Sequence, residues 1–351
     1  MPKSILYAIV ALILTAIVII SVAYGLLGGL KPSPTSSPTP TTVTQTPVEK
    51  REYYFKMPTG SPTGTFYIAA QAIAAIVSKY TPEIVVVAIP GGGSVSNSRA
   101  VGRGDVPISL STSLVAYYAY KGLPPFFTNE SYPNLRAVAP IHPLVVGFLV
   151  KSGSGIKTVY DLAGKRVAIG EPGSGDAVVS EIILKEAGIW DKAVKLNIGD
   201  PESWDMLLAG QVDAVIHHTI VPNPSIYELS MRLPLSFVEI PEEIANRLIE
   251  KYKFFGVYVA KAGSYNGMDR DVRVLKVPSI IIANSGAPEE LIYKFVKAYW
   301  EHFDEVVVMA EFLRDVDRNN PFGGIAIPLH QGAFKYFVEK GFVVPDEIKP
   351  K

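Results

Sequence analysis

Tyr53-Tyr54-Phe55-Lys56-Met57-Pro58-Thr59-Gly60-Ser61-Pro62-Thr63-Gly64-Thr65-Phe66 passes from an apolar run through a Gly/Ser/Thr turn into a helical stretch that continues from Phe66. The same handover recurs three times. Ile84–Pro90 runs into Gly91-Gly92-Gly93-Ser94, Pro107–Leu110 into Ser111-Thr112-Ser113, and Arg166–Gly170 into Glu171-Pro172-Gly173-Ser174-Gly175-Asp176. In open α/β sheets, ligands sit beyond the carboxyl ends of strands, where helix N-termini present unpaired N–H groups and positive partial charge. A chain built of such turns is suited to hold a small, anionic molecule.

Beyond Arg51 the pattern alternates throughout. Apolar runs predict strands near 53–57, 84–89, 107–110, 136–140, 144–150, 166–169, 195–198, 213–217 and 276–283. Helical periodicity falls near 65–80, 94–103, 113–121, 175–187, 202–209, 223–230, 241–250, 288–314 and 330–340. Alternation of this kind argues for α/β architecture. Val138–Val150 and Val274–Ala283 are extended and apolar enough to cross between lobes. The expectation is a two-lobed clamshell, with lobe 1 from 52–142 plus 276–351 and lobe 2 from 143–275.

The first 51 residues have a different character. Ser4–Leu30 carries no charge, and at about 1.5 Å per residue it exceeds the roughly 30 Å core of a bilayer. A signal peptide has an apolar region of only about 7–15 residues, so residues 1–30 read as an uncleaved transmembrane anchor, with cleavage near the small residues Ala23 and Gly25 as the alternative. Residues 31–51, with Pro-Ser-Pro-Thr-Ser-Ser-Pro-Thr-Pro-Thr-Thr, form a Pro/Ser/Thr-rich linker. Such chain prefers extended polyproline II and would hold a domain as a stalk outside the cytoplasm.

Composition excludes several classes. The 351 residues contain no cysteine, which removes disulfides and thiolate metal sites. Lysine plus arginine equals aspartate plus glutamate at 33 each, without a basic stripe, so nucleic-acid binding has no support. No His-Glu-x-x-His pattern or Gly-x-Ser-x-Gly elbow occurs. No metal or cofactor is expected, and a surface-anchored hydrolase remains only a remote alternative.

Six motifs in order then resemble the TAXI-type solute receptors of tripartite ATP-independent periplasmic (TRAP) transporters. They are Thr59-Gly60-Ser61-Pro62-Thr63-Gly64-Thr65-Phe66-Tyr67, Gly92-Gly93-Ser94-Val95-Ser96-Asn97, Asp161–Gly170 running into Gly173-Ser174-Gly175, Gly210-Gln211-Val212-Asp213-Ala214, Pro222-Asn223-Pro224-Ser225-Ile226, and Ile327–Ala333. The resemblance covers nearly all of 52–347. It implies a type II periplasmic-binding-protein fold and a non-enzymatic extracytoplasmic receptor. Such a receptor closes over an organic acid or amino acid, glutamate-like or dicarboxylate, and delivers it to a separate TRAP permease. Two departures fall where contacts are made. Thr63-Gly64 and Asp176 stand where the family has Gly-Gly and Thr, and Ser111-Thr112-Ser113 replaces its Gln-Ser-Asp. An ABC-type binding protein or a membrane-anchored sensor of the same fold is the competing reading.

The candidate ligand contacts are Gly60, Ser61, Thr63, Gly64, Thr65, Tyr67, Ser94, Thr112, Ser113, Ser174, Gly175, Asp176, His217, His218 and Pro222. Each has a plainer reading. Thr63, Ser94, Ser113 and Ser174 are favourable N-caps without any ligand, and Tyr67 could pack in a core. Asp176 either answers a helix dipole or meets a ligand ammonium. His217 and His218 end a strand, where adjacent side chains point to opposite faces; one packs in the lobe while the other reaches the cleft. Trp190, Trp204 and Trp300 read as core.

Overall fold

The computed structural model describes residues 53–252 and 254–351. The anchor and stalk expected over 1–51 lie outside the described residues. Among the described residues no helix is long and apolar enough to cross a membrane.

Strand β1 (Tyr53–Pro58) pairs in parallel with β2 (Ile84–Ile89), from Tyr53 opposite Ile84 to Pro58 opposite Ile89. The crossover between them is α1 (Thr65–Tyr80), which buries Phe66, Ala69, Ala70, Ile73 and Val77. That is the i, i+3, i+4, i+7 spacing of one helix face, and each large aliphatic side chain so buried contributes about 1.5–3 kcal/mol. There follow α2 (Ser94–Arg103), β3 (Ile108–Thr112), α3 (Ser113–Lys121), β4 (Leu135–Lys151), β5 (Arg166–Ala168), α4 (Gly175–Glu186), β6 (Val194–Leu196), α5 (Glu202–Leu208) and β7 (Ala214–Thr219). The chain continues through α6 (Pro224–Arg232), β8 (Leu235–Val238), α7 (Glu242–Tyr252), β9 (Gly256–Ala260), β10 (Val272–Asn284), α8 (Glu289–Glu301), α9 (Phe303–Met309) and α10 (Gln331–Glu339).

The second sheet runs in the order β3, β10, β4, β7, β5, β6, with β8 also on β4 and β9 also on β10. Its backbone is the long antiparallel pair β4 and β10. Strand β4 is buried along nearly its whole length, as a strand covered on both faces must be. The two halves of this pair take different neighbours. Ile108–Thr112 lies against Ser279–Ala283, which faces the Leu135–Ile141 half of β4, whereas β7 and β8 lie against the half from Val145 to Lys151. The change falls where the ladder shifts register between Val277 and Ser279. Pro143 and Pro278 sit at this point, and neither has an N–H to give. The sequence therefore writes a discontinuity into both crossing strands at one level.

His142 occupies that level. It is buried, edge-on to Phe66 and Phe312 with ring centres 6.4 and 4.5 Å away, and neither ring nitrogen has a partner among the described residues. Burial pushes its pKa down to about 3. In the unfolded chain an imidazole titrates near about 6.5, so below that pH the unfolded state binds the extra proton and the native state loses about 1.4 kcal/mol per pH unit. Replacing His142 by leucine removes two stranded polar atoms. His142→Leu is expected to stabilise the fold by about 1–3 kcal/mol at pH 7.5, and by roughly 3 kcal/mol more at pH 4.5. Denaturant titration at the two pH values checks this; an advantage that does not grow on acidification would mean that the imidazole is not held neutral.

Several expectations need correction. The strands expected at 136–140 and 144–150 are one strand, and β8 and β9 were not foreseen. The helix expected over 288–314 breaks at His302, whose ring stacks on Tyr80 of α1 with 3.3 Å between centres. The break lets Phe303 and Val306 turn into the core. The N-caps of α1, α2 and α3 are Gly64, Gly93 and Thr112 rather than Thr63, Ser94 and Ser113. Ser174 does cap α4, its hydroxyl accepting the Ala177 N–H at 3.1 Å.

Candidate functional site

The turns that follow β1, β2, β5, β6 and β7 meet around one cavity of about 300 Å³. Helix N-termini line it: Gly64, Thr65 and Phe66 of α1, Gly93 and Ser94 of α2, Ser174, Gly175 and Asp176 of α4, and also Pro201 before α5 and Asn223 before α6. The first N–H groups of a helix have no intrahelical acceptor. Glycine is required where these turns approach one another. Gly93 has φ 79°, in the left-handed region, and a Cβ there would lie 3.7 Å from the Ser174 backbone. A Cβ on Gly175 would lie 3.0 Å from His218 Cε1 and 3.2 Å from Ser94 Oγ.

The cavity is closed by bonds between segments distant in sequence. The Ser96 N–H and hydroxyl both donate to the Gly173 carbonyl, at 3.2 and 3.4 Å. Thr219 Oγ1 donates to Thr65 Oγ1 at 3.3 Å. These contacts tie the turn after β2 to the turn after β5, and the start of α1 to the end of β7.

The two histidines separate as strand alternation requires. His217 is buried on the far side, where the Val145 carbonyl accepts from Nδ1 at 3.1 Å and so fixes the tautomer; Nε2 then accepts from the Tyr265 hydroxyl at 2.9 Å. Burial lowers the His217 pKa to about 4. His218 lines the cavity with its side chain 3% exposed. Its Nδ1 is 2.9 Å from Asp176 Oδ1, and its Nε2 has no partner among the described residues, no hydroxyl included.

The lining is also acidic. Glu171, Asp176, Asp200, Asp205 and Glu228 face the cavity, against Arg232 and His218. Burial within the surrounding protein and the neighbouring charge of Asp176 push Asp200 up to about 7, although Asp200 keeps accessible surface at the cavity. Glu171 is raised by burial and by the same Asp176 charge. The Ser203 hydroxyl donates to Asp200 Oδ1 at 3.1 Å. Among the described residues no group of His, Asp and Glu has the arrangement to hold a metal ion.

Of the candidate contacts, Gly60, Ser61, Thr63, Gly64, Thr65, Ser94, Ser174, Gly175, Asp176 and His218 come together at this cavity. Tyr67, Thr112, Ser113, His217 and Pro222 do not line it. Tyr67 is rotated away by about 100° relative to Phe66, one residue earlier on the helix, and Phe66 takes the wall instead. Thr112 is spent on capping, its hydroxyl accepting the Val115 N–H at 3.4 Å, while its own N–H reaches Ser94 Oγ at 3.2 Å. Ser113 is buried beside it, and Pro222 is exposed.

Sequence reasoning passed over Glu171, Asp200, Trp204, Asn223, Ile226 and Arg232, which all line the cavity. Two signals were available. Gly199-Asp200-Pro201 is another strand-to-helix turn, and Asn223, Ile226, Leu229 and Arg232 recur at helical spacing. Trp204, read as core, packs against the core and also lines the cavity.

Two α/β lobes, long crossing strands and an enclosed cavity at strand carboxyl ends define the type II periplasmic-binding-protein fold. The chain belongs to the NMT1-like family, whose profile matches residues 57–341. Among solved structures it is similar to an ancestral arginine-binding protein bound to arginine, with 16% identity over 75% of this chain and 99% of that one and a TM-score of 0.50. MatC from Rhodopseudomonas palustris with bound malate shares 17% identity over 74% of this chain and 88% of that one, at a TM-score of 0.49. At such identities the similarity is one of fold.

Proposed function

We propose that this protein is an extracytoplasmic solute receptor of the TAXI type, which closes over a small organic acid or amino acid and delivers it to a TRAP permease. One observation carries the reading: several helix N-termini meet at one cavity beside a buried ring nitrogen that has no partner among the described residues. Dipoles and unpaired N–H groups so placed favour a carboxylate. A cavity of about 300 Å³ suits a metabolite-sized molecule, at the lower end of the usual range of about 300–1,000 Å³. The lobes on this reading are 52–142 plus 276–351 and 143–275, a division that the register shift near Pro143 and Pro278 supports. Residues 1–30 anchor the receptor through the stalk, which mass spectrometry of the native N-terminus tests; a mature start near Tyr24 or Gly25 would make the segment a cleaved signal.

Calorimetry of the full chain against dicarboxylates, 2-oxoacids and amino acids is expected to find one class bound at micromolar affinity or better, about 8 kcal/mol. Failure of all three classes would sink the receptor reading. The motif order from Thr59 to Ala333 favours a TRAP partner. Because this fold also serves ABC permeases and sensors, uptake into vesicles decides the partner. Solute accumulation with a TRAP permease and no ATP is the expected result, and accumulation only with an ATP-hydrolysing permease is the contrary one.

A further inference from the structure

Arg232 is the one Lys or Arg side chain lining the cavity among the described residues, and it forms no ion pair with the acidic side chains there. Asp176 raises the proton affinity of Glu171, both of these carboxylates raise that of Asp200, and Glu171 packs where a Cβ on Gly199, beside Asp200, would meet its carboxyl carbon at 3.3 Å. Asp176 is committed to His218 Nδ1. Neither Glu171 nor Asp200 forms an ion pair among the described residues, and neither does Arg232. Like charges held together in a cavity are unfavourable unless a cation neutralises them. A second, independent group makes the same demand. In the tautomer that donates Nδ1–H to Asp176, His218 leaves Nε2 as an acceptor, and that atom is buried without a partner among the described residues.

Resting on the reading of the cavity as a solute site, we infer that the wall formed by Glu171, Asp200 and His218 Nε2 receives the ammonium group of the solute. The ligand is then a zwitterion, an α-amino acid with its carboxylate at the N-termini of α1, α2 and α4, and not a dicarboxylate. Asp176 is a positioning residue, holding the His218 tautomer rather than touching the ammonium.

Titration of Asp200 supplies a readout. The charged groups around it are Glu171 and Asp176 at the start of α4, His218 on β7, Asp205 on α5, and Glu228 and Arg232 on α6. Burial first, and then the charges of Asp176 and Glu171, raise Asp200 to about 7, so it is partly protonated near neutral pH. An arriving ammonium favours its carboxylate form, and binding releases a proton.

The test is calorimetry of the full chain with L-glutamate, 2-oxoglutarate and glutarate, which share a carbon skeleton, and with a neutral amino acid. At least one amino acid is expected to bind 100-fold or more tightly than 2-oxoglutarate and glutarate. Its heat at pH 7 should differ between buffers of unlike ionisation enthalpy as proton release requires. Asp200→Asn should weaken the amino acid at least tenfold, leave the 2-oxoacid within threefold and remove the buffer dependence. Glutarate or 2-oxoglutarate binding as tightly as any amino acid overturns the inference but leaves the receptor reading standing, as does an equal effect of Asp200→Asn on both classes. If none of the four binds, both fail.

Discussion

Gly175→Val is expected to weaken solute binding at least 100-fold, about 2.7 kcal/mol, with some loss of thermal stability in the ligand-free protein. Gly175 opens α4 and lines the cavity. Its Cβ alone would press on His218 Cε1 and Ser94 Oγ, at 3.0 and 3.2 Å. The two further methyl groups of valine enter the space that a ligand needs, in a cavity of only about 300 Å³, and they also prop apart the turns that Ser96 and Gly173 tie together. Valine at the first position of a helix loses no intrahelical bond, so its cost to the fold is that of these tight contacts. Gly175→Ala should fall between, at roughly tenfold. Isothermal titration with the solute identified for the wild type checks both; a valine variant with unchanged affinity would move the solute to another part of the molecule.

How much of this was legible beforehand depends on how local each signal is. The strand-to-helix turns were readable because Gly, Ser and Thr at such turns answer backbone demands within a few residues. The strand near 195–198 and the helix near 202–209 were expected, yet Asp200 escaped because the turn between them, Gly199-Asp200-Pro201, lacks the Ser and Thr of the other turns. Alternation foretold that His217 and His218 would part, yet the choice of face came from the register of β7 on β4, with Gly147 opposite His217 and Val146 opposite His218. Phe66 and Tyr67 posed the same problem on a helix, since two neighbouring aromatics leave the phase of the helix open. Strands β8 and β9 exist because β4 and β10 run beyond their other partners and offer unpaired backbone; that is tertiary information. The acidity of the cavity was invisible for a related reason. Glu171, Asp200 and Glu228 lie on different elements, and only the fold puts them together.

Tyr265→Phe is expected to cost about 2–5 kcal/mol of stability, more than any change at the cavity surface, because one hydroxyl sustains a buried network. That hydroxyl accepts the Asn223 N–H at 3.0 Å and donates to His217 Nε2 at 2.9 Å. Phenylalanine keeps the ring and its packing on Phe237, 6.0 Å between centres, so the loss is confined to hydrogen bonding. It leaves a backbone N–H and an imidazole nitrogen buried and unpaired, each at about 1–3 kcal/mol. The damage then passes to the cavity through Asn223. Its Oδ1 caps α6 by accepting from Ser225 and Ile226 at 3.0 and 3.2 Å, and its Nδ2 donates to Thr219, which in turn donates to Thr65. Solute affinity should therefore fall together with stability, although Tyr265 does not line the cavity. A double-mutant cycle with His217→Phe separates the two roles. If the hydroxyl serves chiefly His217, the second substitution should recover much of the lost stability but not the affinity, since the Asn223 N–H remains unpaired. A Tyr265→Phe variant within 0.5 kcal/mol of the wild type, on the other hand, would place these bonds among those that water replaces at little cost.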